Sequence, residues 1–500
     1  MQAAAGRESW ADATDQEEAA SRSQGLPDDD APPGYEHVLP GTHKVNTAEL
    51  EAGLDQVEGD GQGGTDEPDL PLKSGGLQDV SAEEVIETVS AADTPYTSAK
   101  SFDELPLSPK LLQGLYTEMK FERPSRIQAT TLPMILSPPF RSLVAQAHNG
   151  SGKTTCFVLA MLSRVNPAVQ QPQALCVCPT RELVVQNMSV LERMGKFSAI
   201  SATSTAAADH EFSRSTRINQ QVVVGTHGKL KNWMSKRIMP TEHIQILVFD
   251  EADEMLKRDG FASDSLRMIQ TLRRTNRQLQ ILLFSATFNE RIRNFAVKVV
   301  GPEANQVFVP KEDLSLDVIK QYRVVCPKSA DKMRVLKDMV FPQSDQLGQT
   351  IIFVRTRETA RSLHAAMEAD GHKCTSIQGD MDKEARDRVV REFRTGATKI
   401  LISTDVLARG FDVTQVTLVI NYDVPVERDG RTPAFETYLH RIGRSGRFGR
   451  KGAAFNLVSG PQEIGVLDAI QDYFKHDIPA VPHDDEDVFL EVLRAAGLTS

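Results

Sequence analysis

A phosphate-binding loop and an acidic strand end, about a hundred residues apart, restrict this chain to a narrow set of folds. The segment Ala147-His148-Asn149-Gly150-Ser151-Gly152-Lys153-Thr154 follows a short apolar run and opens a helical pattern near Thr154. It matches the phosphate-loop spacing G-x-x-x-x-G-K-[ST], with Ala147 in the first position. Backbone N–H groups of Gly150 to Thr154 and the positive end of the following helix suit β- and γ-phosphates. Lys153 would bridge those phosphates, and the Thr154 hydroxyl would ligate Mg2+. The segment 248–253, VFDEAD, ends a second apolar run. Asp250 and Glu251 are adjacent there, so their side chains leave the sheet on opposite sides. Asp250 can hold the metal through its water shell, and Glu251 can orient and deprotonate a water. Taken singly, each segment also reads as a glycine-rich turn or a pair of solvated carboxylates. In this order they point to a nucleoside-triphosphate hydrolase.

Around these anchors, apolar runs alternate with helical patterns from Phe102 onward. Candidate strands lie at 143–145, 174–178, 221–224, 246–249 and 281–284, with a helix over 181–194. After Gly301 the alternation begins again, at 350–354, 375–377, 399–402, 418–422 and 453–457. This pattern predicts two α/β domains, each a parallel sheet flanked by helices, over 100–312 and 313–500, with a connector near 310–316. Ligands of such sheets favour the carboxyl ends of the strands.

Residues 1–99 are rich in Gly, Pro, Asp, Glu and Ser, and the composition predicts a disordered acidic leader. Within it, Ser81 followed by Glu84 is a capping-box pattern that predicts a short conditional helix over 81–89. Residues 1–100 carry 5 basic and 22 acidic side chains, and the remainder carries 52 basic and 46 acidic ones. A mildly basic body behind an acidic leader suits a polyanion ligand. The five cysteines form no C-x-x-C pair and read as small buried hydrophobes in a reducing compartment. No apolar run approaches the roughly 20 residues that span a bilayer. The N-terminus resembles neither a secretory signal nor a presequence, which predicts a soluble protein of cytoplasm or nucleus.

Eight further segments carry a resemblance. Residues 121–128 (FERPSRIQ), 179–183 (PTREL), 250–253 (DEAD) and 285–287 (SAT) precede 352–355 (IFVR), 403–405 (STD), 408–412 (ARGFD) and 440–447 (HRIGRSGR). In this order the chain resembles a DEAD-box RNA helicase over roughly 102–460, which implies two tandem RecA-like domains. The resemblance implies that Gln128 pairs with adenine of ATP while Phe121 stacks on the ring; Phe102 is either the family's extra aromatic or a core anchor. It implies that Gly410 and Asp412 lie at the nucleotide, Asp412 on the ribose. Ser285, Ala286, Thr287 and His440 would couple the nucleotide site to domain closure. Arg441 and Arg444, spaced i, i+3, would cross the cleft to the γ-phosphate, a contact worth on the order of 10³–10⁵ in rate; the alternative is a basic helix face on RNA. By the same resemblance, Thr180, Arg181, Thr226, Gly228, Arg355, Gly379, Arg386 and Thr404 contact the RNA backbone, giving little sequence specificity. Two features depart from the family pattern. His227 stands where proline is usual, and no glycine pair occurs within 201–210.

The segment 424–436 (VPVERDGRTPAFE) is longer than in translation-initiation DEAD-box proteins, and with 157–164 (FVLAMLSR) it is similar to the nuclear-pore mRNA-export branch. That branch implies a nuclear-pore filament protein and an activating export cofactor as partners, a monomer, and a location in cytoplasm and nucleus near the nuclear envelope. The rivals are an initiation-type helicase, an ATP-dependent RNA clamp that does not separate strands, and a DNA-directed ATPase.

Overall fold

The computed structural model describes residues 43–45, 87–90 and 98–499, apart from 148–150, 207–216, 259, 302, 309–318, 344–345, 406–414 and 447–450. The rest of the leader, the connector, His148, Asn149, Gly150, Gly410 and Asp412 therefore lie outside the described residues.

The first sheet contains β1 (His43–Val45), β2 (Glu87–Ser90), β3 (Leu143–Gln146), β4 (Ala174–Cys178), β5 (Ala202–Ser204), β6 (Val222–Thr226), β7 (Ile246–Phe249), β8 (Gln280–Ser285) and β9 (Asn305–Phe308). Their order is β1-β2-β9-β3-β8-β7-β4-β6-β5. From β9 to β5 every pairing is parallel. The central strands are near-continuous apolar runs because helices cover both faces. Those helices include α1 (Arg126–Leu136), α2 (Lys153–Arg164), α3 (Arg181–Met194) and α4 (Ala252–Leu256).

The second sheet contains β10 (Ile319–Cys326), β11 (Gln349–Phe353), β12 (Cys374–Ile377), β13 (Ile400–Ser403), β14 (Val416–Asn421), β15 (Gly452–Ser459) and β16 (Ala480–Val481). It is parallel throughout, in the order β12-β13-β11-β14-β15-β10-β16. Helices α5 (Lys383–Arg394) and α6 (Phe435–Ile442) are the two that matter most for the cleft. Each sheet has two apolar clusters, and none of the four includes residues of both sheets. The two-domain α/β architecture expected from the alternation is what the chain adopts.

The carboxyl ends of the parallel strands hold the segments singled out in the sequence. The phosphate loop follows β3, Thr180 follows β4, Thr226 ends β6, Asp250 follows β7 and Ser285 ends β8. In the second domain Arg355 follows β11, Gly379 follows β12 and Thr404 follows β13. All five cysteines are unpaired and buried, and no described helix is long and apolar enough to cross a membrane.

The expected helix over 81–89 is not what its described part forms. Glu87–Ser90 is a strand, paired antiparallel to β9 with Thr88 opposite Val307, and β1 pairs antiparallel to β2 in turn. The capping-box pattern loses to the unpaired edge of β9, whose N–H and C=O groups favour a strand, and to β-branched Thr88 and Val89. Replacing Thr88, which is buried, by proline removes one N–H and forces the ladder apart. Amide hydrogen exchange of 305–308 is expected to rise by on the order of tenfold in Thr88→Pro, with β7 and β8 unchanged. Unchanged exchange at 305–308 would show that β2 contributes nothing to that edge.

Candidate nucleotide site and interdomain cleft

The phosphate loop is held from below by the start of α1. Ser125 caps that helix through a capping box: its Oγ accepts from the Gln128 N–H, and its own N–H donates to Gln128 Oε1 at 3.0 Å. The Ser125 hydroxyl also donates to the carbonyl of Ser151 at 2.8 Å, and Gln128 Nε2 donates to the carbonyl of Gly152 at 3.3 Å. Gln128 is therefore a brace between α1 and the loop. Each polar atom of its amide keeps one further hydrogen-bonding valence, the donor and acceptor that adenine requires. Phe121 is buried and stacks on Phe102, centroids 6.4 Å apart and planes at 22°. Phe102 has no exposed surface and packs in the core.

Gly152 caps α2 with φ +96°, a left-handed backbone that glycine adopts without strain. Lys153 opens the helix; its ammonium is buried and donates to the carbonyl of Ala147. Thr154 is half-buried one residue further on. The N–H groups of a helix start, a lysine folded into the loop and a carboxylate across the sheet together fit a nucleotide phosphate with Mg2+. Asp250 is that carboxylate. It is buried, and burial pushes its pKa up, opposed by the hydrogen bond from Asn187 and the charge of Lys153. Glu251 is buried too and occupies the left-handed region at φ +53°, an arrangement costing about 1–3 kcal/mol for a residue with a Cβ. Among the described residues no group of three or more His, Cys, Asp or Glu side chains is placed to hold a metal. Mg2+ here would take its ligands mainly from phosphate and water, with Asp250 and Thr154 as the protein's share.

The 285–287 segment joins this site to the other domain. The Ala147 N–H donates to the carbonyl of Ser285 at 3.1 Å, tying the start of the phosphate loop to the end of β8. Ala286 is buried. The Thr287 hydroxyl donates to Glu436 Oε1 on α6 at 2.9 Å, and Asn289 Nδ2 donates to the same oxygen at 3.0 Å. Lys257 lies 3.4 Å from Glu436 Oε2. One turn further along α6, His440 Nε2 approaches Asp253 Oδ2 at 4.0 Å, both side chains buried. Sequence reasoning found Thr287 and His440 but missed Glu436, which the i, i+4 spacing to His440 places on the same helix face.

Arg441 lies on α6. Its guanidinium is buried within its own domain, where Nε donates to Asp405 Oδ1 at 2.6 Å and Nη1 to Asn421 Oδ1 and the Asp423 carbonyl. In this structure it anchors α6. The i, i+3 spacing puts Arg441 and Arg444 on one face only if the helix continues, but α6 ends at Ile442. Arg444 lies past that end, with Nε donating to the His440 carbonyl.

Of the expected RNA contacts, four line a cleft of about 840 Å³ between the domains: Thr180, Arg181, Gly379 and Arg386. Two ion pairs close it. Arg181 bonds Asp387 at 2.7 Å, and Arg386 on α5 bonds Glu182 at 2.7 Å. Arg428, in the long segment before α6, reaches the Lys257 carbonyl at 3.5 Å from the same cleft. Thr226, Gly228, Arg355 and Thr404 are not among the residues that line this cleft. Thr226 caps the helix His227–Ser235, on which Gly228 is exposed. Arg355 is exposed beside a smaller cavity, and Thr404 is buried at the end of β13. His227, in the usual proline position, packs edge-on against Phe261 at 4.8 Å, and burial lowers its pKa.

Comparison with known proteins agrees with this geometry. The sequence pattern of DEAD/DEAH box helicases matches residues 125–295, and that of the helicase conserved C-terminal domain matches residues 331–449. A rice protein, DEAD-box ATP-dependent RNA helicase 38, is 51% identical over 84% of each chain. The chain belongs to the DEAD-box ATP-dependent RNA helicases. Its reaction is the RNA-stimulated hydrolysis of ATP. Among solved structures, yeast Dbp5 bound to RNA and ADP BeF3 superposes with a TM-score of 0.75 at 41% identity, covering 80% of this chain and all of that one. A point variant of yeast Dbp5 bound to Nup159, a variant Gle1, IP6 and ADP matches with a TM-score of 0.57 at 38% identity, covering 78% and 99%.

Gln128→Ala in this helicase removes both the brace and the amide that matches adenine. The preference for ATP over GTP in kcat/KM is expected to fall by at least tenfold, since guanine O6 is an acceptor where adenine N6 donates. The melting temperature should fall as well, by the loss of about 1 kcal/mol of capping. An ATP-to-GTP ratio unchanged by Gln128→Ala would remove the amide from base recognition.

Proposed function

We propose that this helicase remodels RNA or RNA–protein complexes in mRNA export at the nuclear pore, by closing its two domains around ATP and Mg2+. The observation that carries the closure is the seam itself: Thr287 and Asn289, beside the phosphate loop, share Glu436 of the second domain. The motif that touches the nucleotide site thus also touches the opposing domain. Bound nucleotide phosphate with Mg2+ supplies the electrophile and a counter-charge. The chain's own residues do the rest. Lys153 and the α2 amides orient the phosphates, Asp250 positions the metal's water shell, and Glu251 takes a proton from the attacking water. Arg444 and Arg441 are the arginines proposed for the γ-phosphate, Arg441 also anchoring α6.

RNA backbone is proposed to enter the cleft beside Thr180, Arg181, Gly379 and Arg386, exchanging the two ion pairs for phosphate contacts. The Arg181–Asp387 pair is partly exposed, and such pairs are worth about 0–1 kcal/mol, little enough for a polyanion to displace it. In the other pair Glu182 is buried, so RNA phosphate has to replace its carboxylate as the partner of Arg386. Grip through phosphates makes binding salt-sensitive and weakly dependent on sequence. Support for the export role comes from the yeast Dbp5 structures, one with RNA and another with Nup159 and Gle1. By that likeness the partners are a nuclear-pore filament protein and an activating export cofactor. The protein acts as a monomer shuttling between cytoplasm and nucleus, enriched at the nuclear envelope.

Glu251→Gln keeps the shape of the site but removes its base. It is expected to retain ATP and RNA binding, lose at least a hundredfold in steady-state ATPase, and accumulate a closed ATP–RNA complex detectable by filter retention. Near-normal turnover would take Glu251 out of the role of base. For the export assignment the measurement is ATPase of the purified full chain with and without a purified Gle1-type cofactor and a Nup159-type filament domain. Direct binding of both, with stimulation by the cofactor, is expected. Binding of neither, alongside intact RNA stimulation, would leave an RNA helicase of another pathway.

A further inference from the structure

Asn187 belongs to none of the segments that carry the family resemblance, yet it touches the chemistry. It lies on the face of α3 that packs against the sheet, near Val184, Met188 and Leu191, and it has no exposed surface. A carboxamide in such a place is costly unless it is hydrogen-bonded. Its Nδ2 donates to Asp250 Oδ2 at 2.9 Å and lies 3.4 Å from the Cys178 thiol. A carboxylate only accepts, so the chemistry fixes which end of the amide faces Asp250. The nearby strand face carries two thiols, Cys176 and Cys178, with sulfurs 3.8 Å apart. Thiols are weak donors, which leaves the amide as the strong side-chain donor to Asp250, whose carboxylate also takes a hydrogen bond from the Glu251 backbone.

We propose that Asn187 is a positioning residue for the Mg2+ site. It clamps Oδ2 of Asp250, and with that oxygen held the carboxylate cannot rotate about its Cβ–Cγ bond. Oδ1 is then the oxygen presented to the water shell of the metal. An apolar residue at position 187 would pack equally well against the sheet; only a donor does this. The inference rests on Asp250 being the metal carboxylate. Partners of this kind typically change metal affinity or activity by about 10–100-fold when removed.

The test uses the full-length chain and a fluorescent N-methylanthraniloyl ADP, titrated with Mg2+ at fixed nucleotide. Asn187→Leu keeps the volume and removes the donor. Its half-saturating Mg2+ is expected to rise by on the order of tenfold, while nucleotide affinity in EDTA stays within about twofold. Cys178→Ala removes the amide's other neighbour and should keep the wild-type Mg2+ requirement. Should Asn187→Leu not accumulate as folded protein, Asn187→Ser, too short to reach Asp250, carries the same comparison. An unchanged Mg2+ requirement in the folded variant overturns the proposal, and so does an equal shift in Cys178→Ala, which would mark a general packing defect. Asp250→Asn, run alongside, separates the two claims. If it raises the Mg2+ requirement while Asn187→Leu does not, the clamp alone is wrong; if neither variant shifts it, the metal role of Asp250 fails as well.

Discussion

The buried guanidinium of Arg441 sets the pose of α6, and the interdomain seam depends on that pose. Burying an unpaired charge costs several kcal/mol, so the guanidinium must be surrounded by acceptors. Asp405, Asn421 and the Asp423 carbonyl supply them, and the Phe353 ring lies 5.1 Å from its centre. The network continues inward: Asn421 Nδ2 donates to Asn456 at 2.8 Å, Asn456 to the Tyr438 hydroxyl, and that hydroxyl to Gln321 at 2.7 Å. Such a network has one low-energy arrangement, because every departure leaves a buried polar group unsatisfied. With one face of α6 fixed in this way, Glu436 and His440 are directed at the first domain without choice of rotation.

From there a continuous set of contacts reaches the nucleotide site. Glu436 meets Thr287, Ser285 of the same segment accepts from the Ala147 N–H, and Ala147 in turn accepts from Lys153. Only the 285–287 segment therefore stands between the phosphate loop and the second domain along this path. This gives closure a physical meaning: a displacement of the loop by bound phosphate moves groups that hydrogen-bond across the seam.

Much of this was legible in the sequence, and the exceptions share a cause. The central strands were found because parallel strands buried on both faces read as unbroken apolar runs. Helix α3 was found with its full extent, since Thr180 caps it and its apolar residues recur at helical spacing. The strands β1, β5, β9, β10 and β16 were not. β10 reads Ile-Lys-Gln-Tyr-Arg-Val-Val-Cys and alternates between buried and exposed positions near the sheet edge, so no run announces it. β2 carried a local helix signal that tertiary pairing overrode. At the site, residues inside motifs were visible, whereas Asn187 and Glu436 act only through partners distant in sequence. Spacing alone did not show that Arg441 anchors α6, because its partners Asp405, Asn421 and Asp423 lie elsewhere in the sequence.

The four apolar clusters stop at the domain boundary, and what crosses it is mainly charge and hydrogen bonds: Arg181 with Asp387, Arg386 with Glu182, and Glu436 with Thr287, Asn289 and Lys257. Unfolding a domain exposes apolar surface and so carries a large positive heat-capacity change. Parting the contacts named here wets polar groups, whose exposure contributes in the opposite sense. The balance between open and closed forms should then run nearly straight with temperature while the stability of each domain curves. The open–closed balance of such a machine then shifts with temperature at a steady rate set by its entropy change, without the cold-side and heat-side losses that curve the stability of its parts.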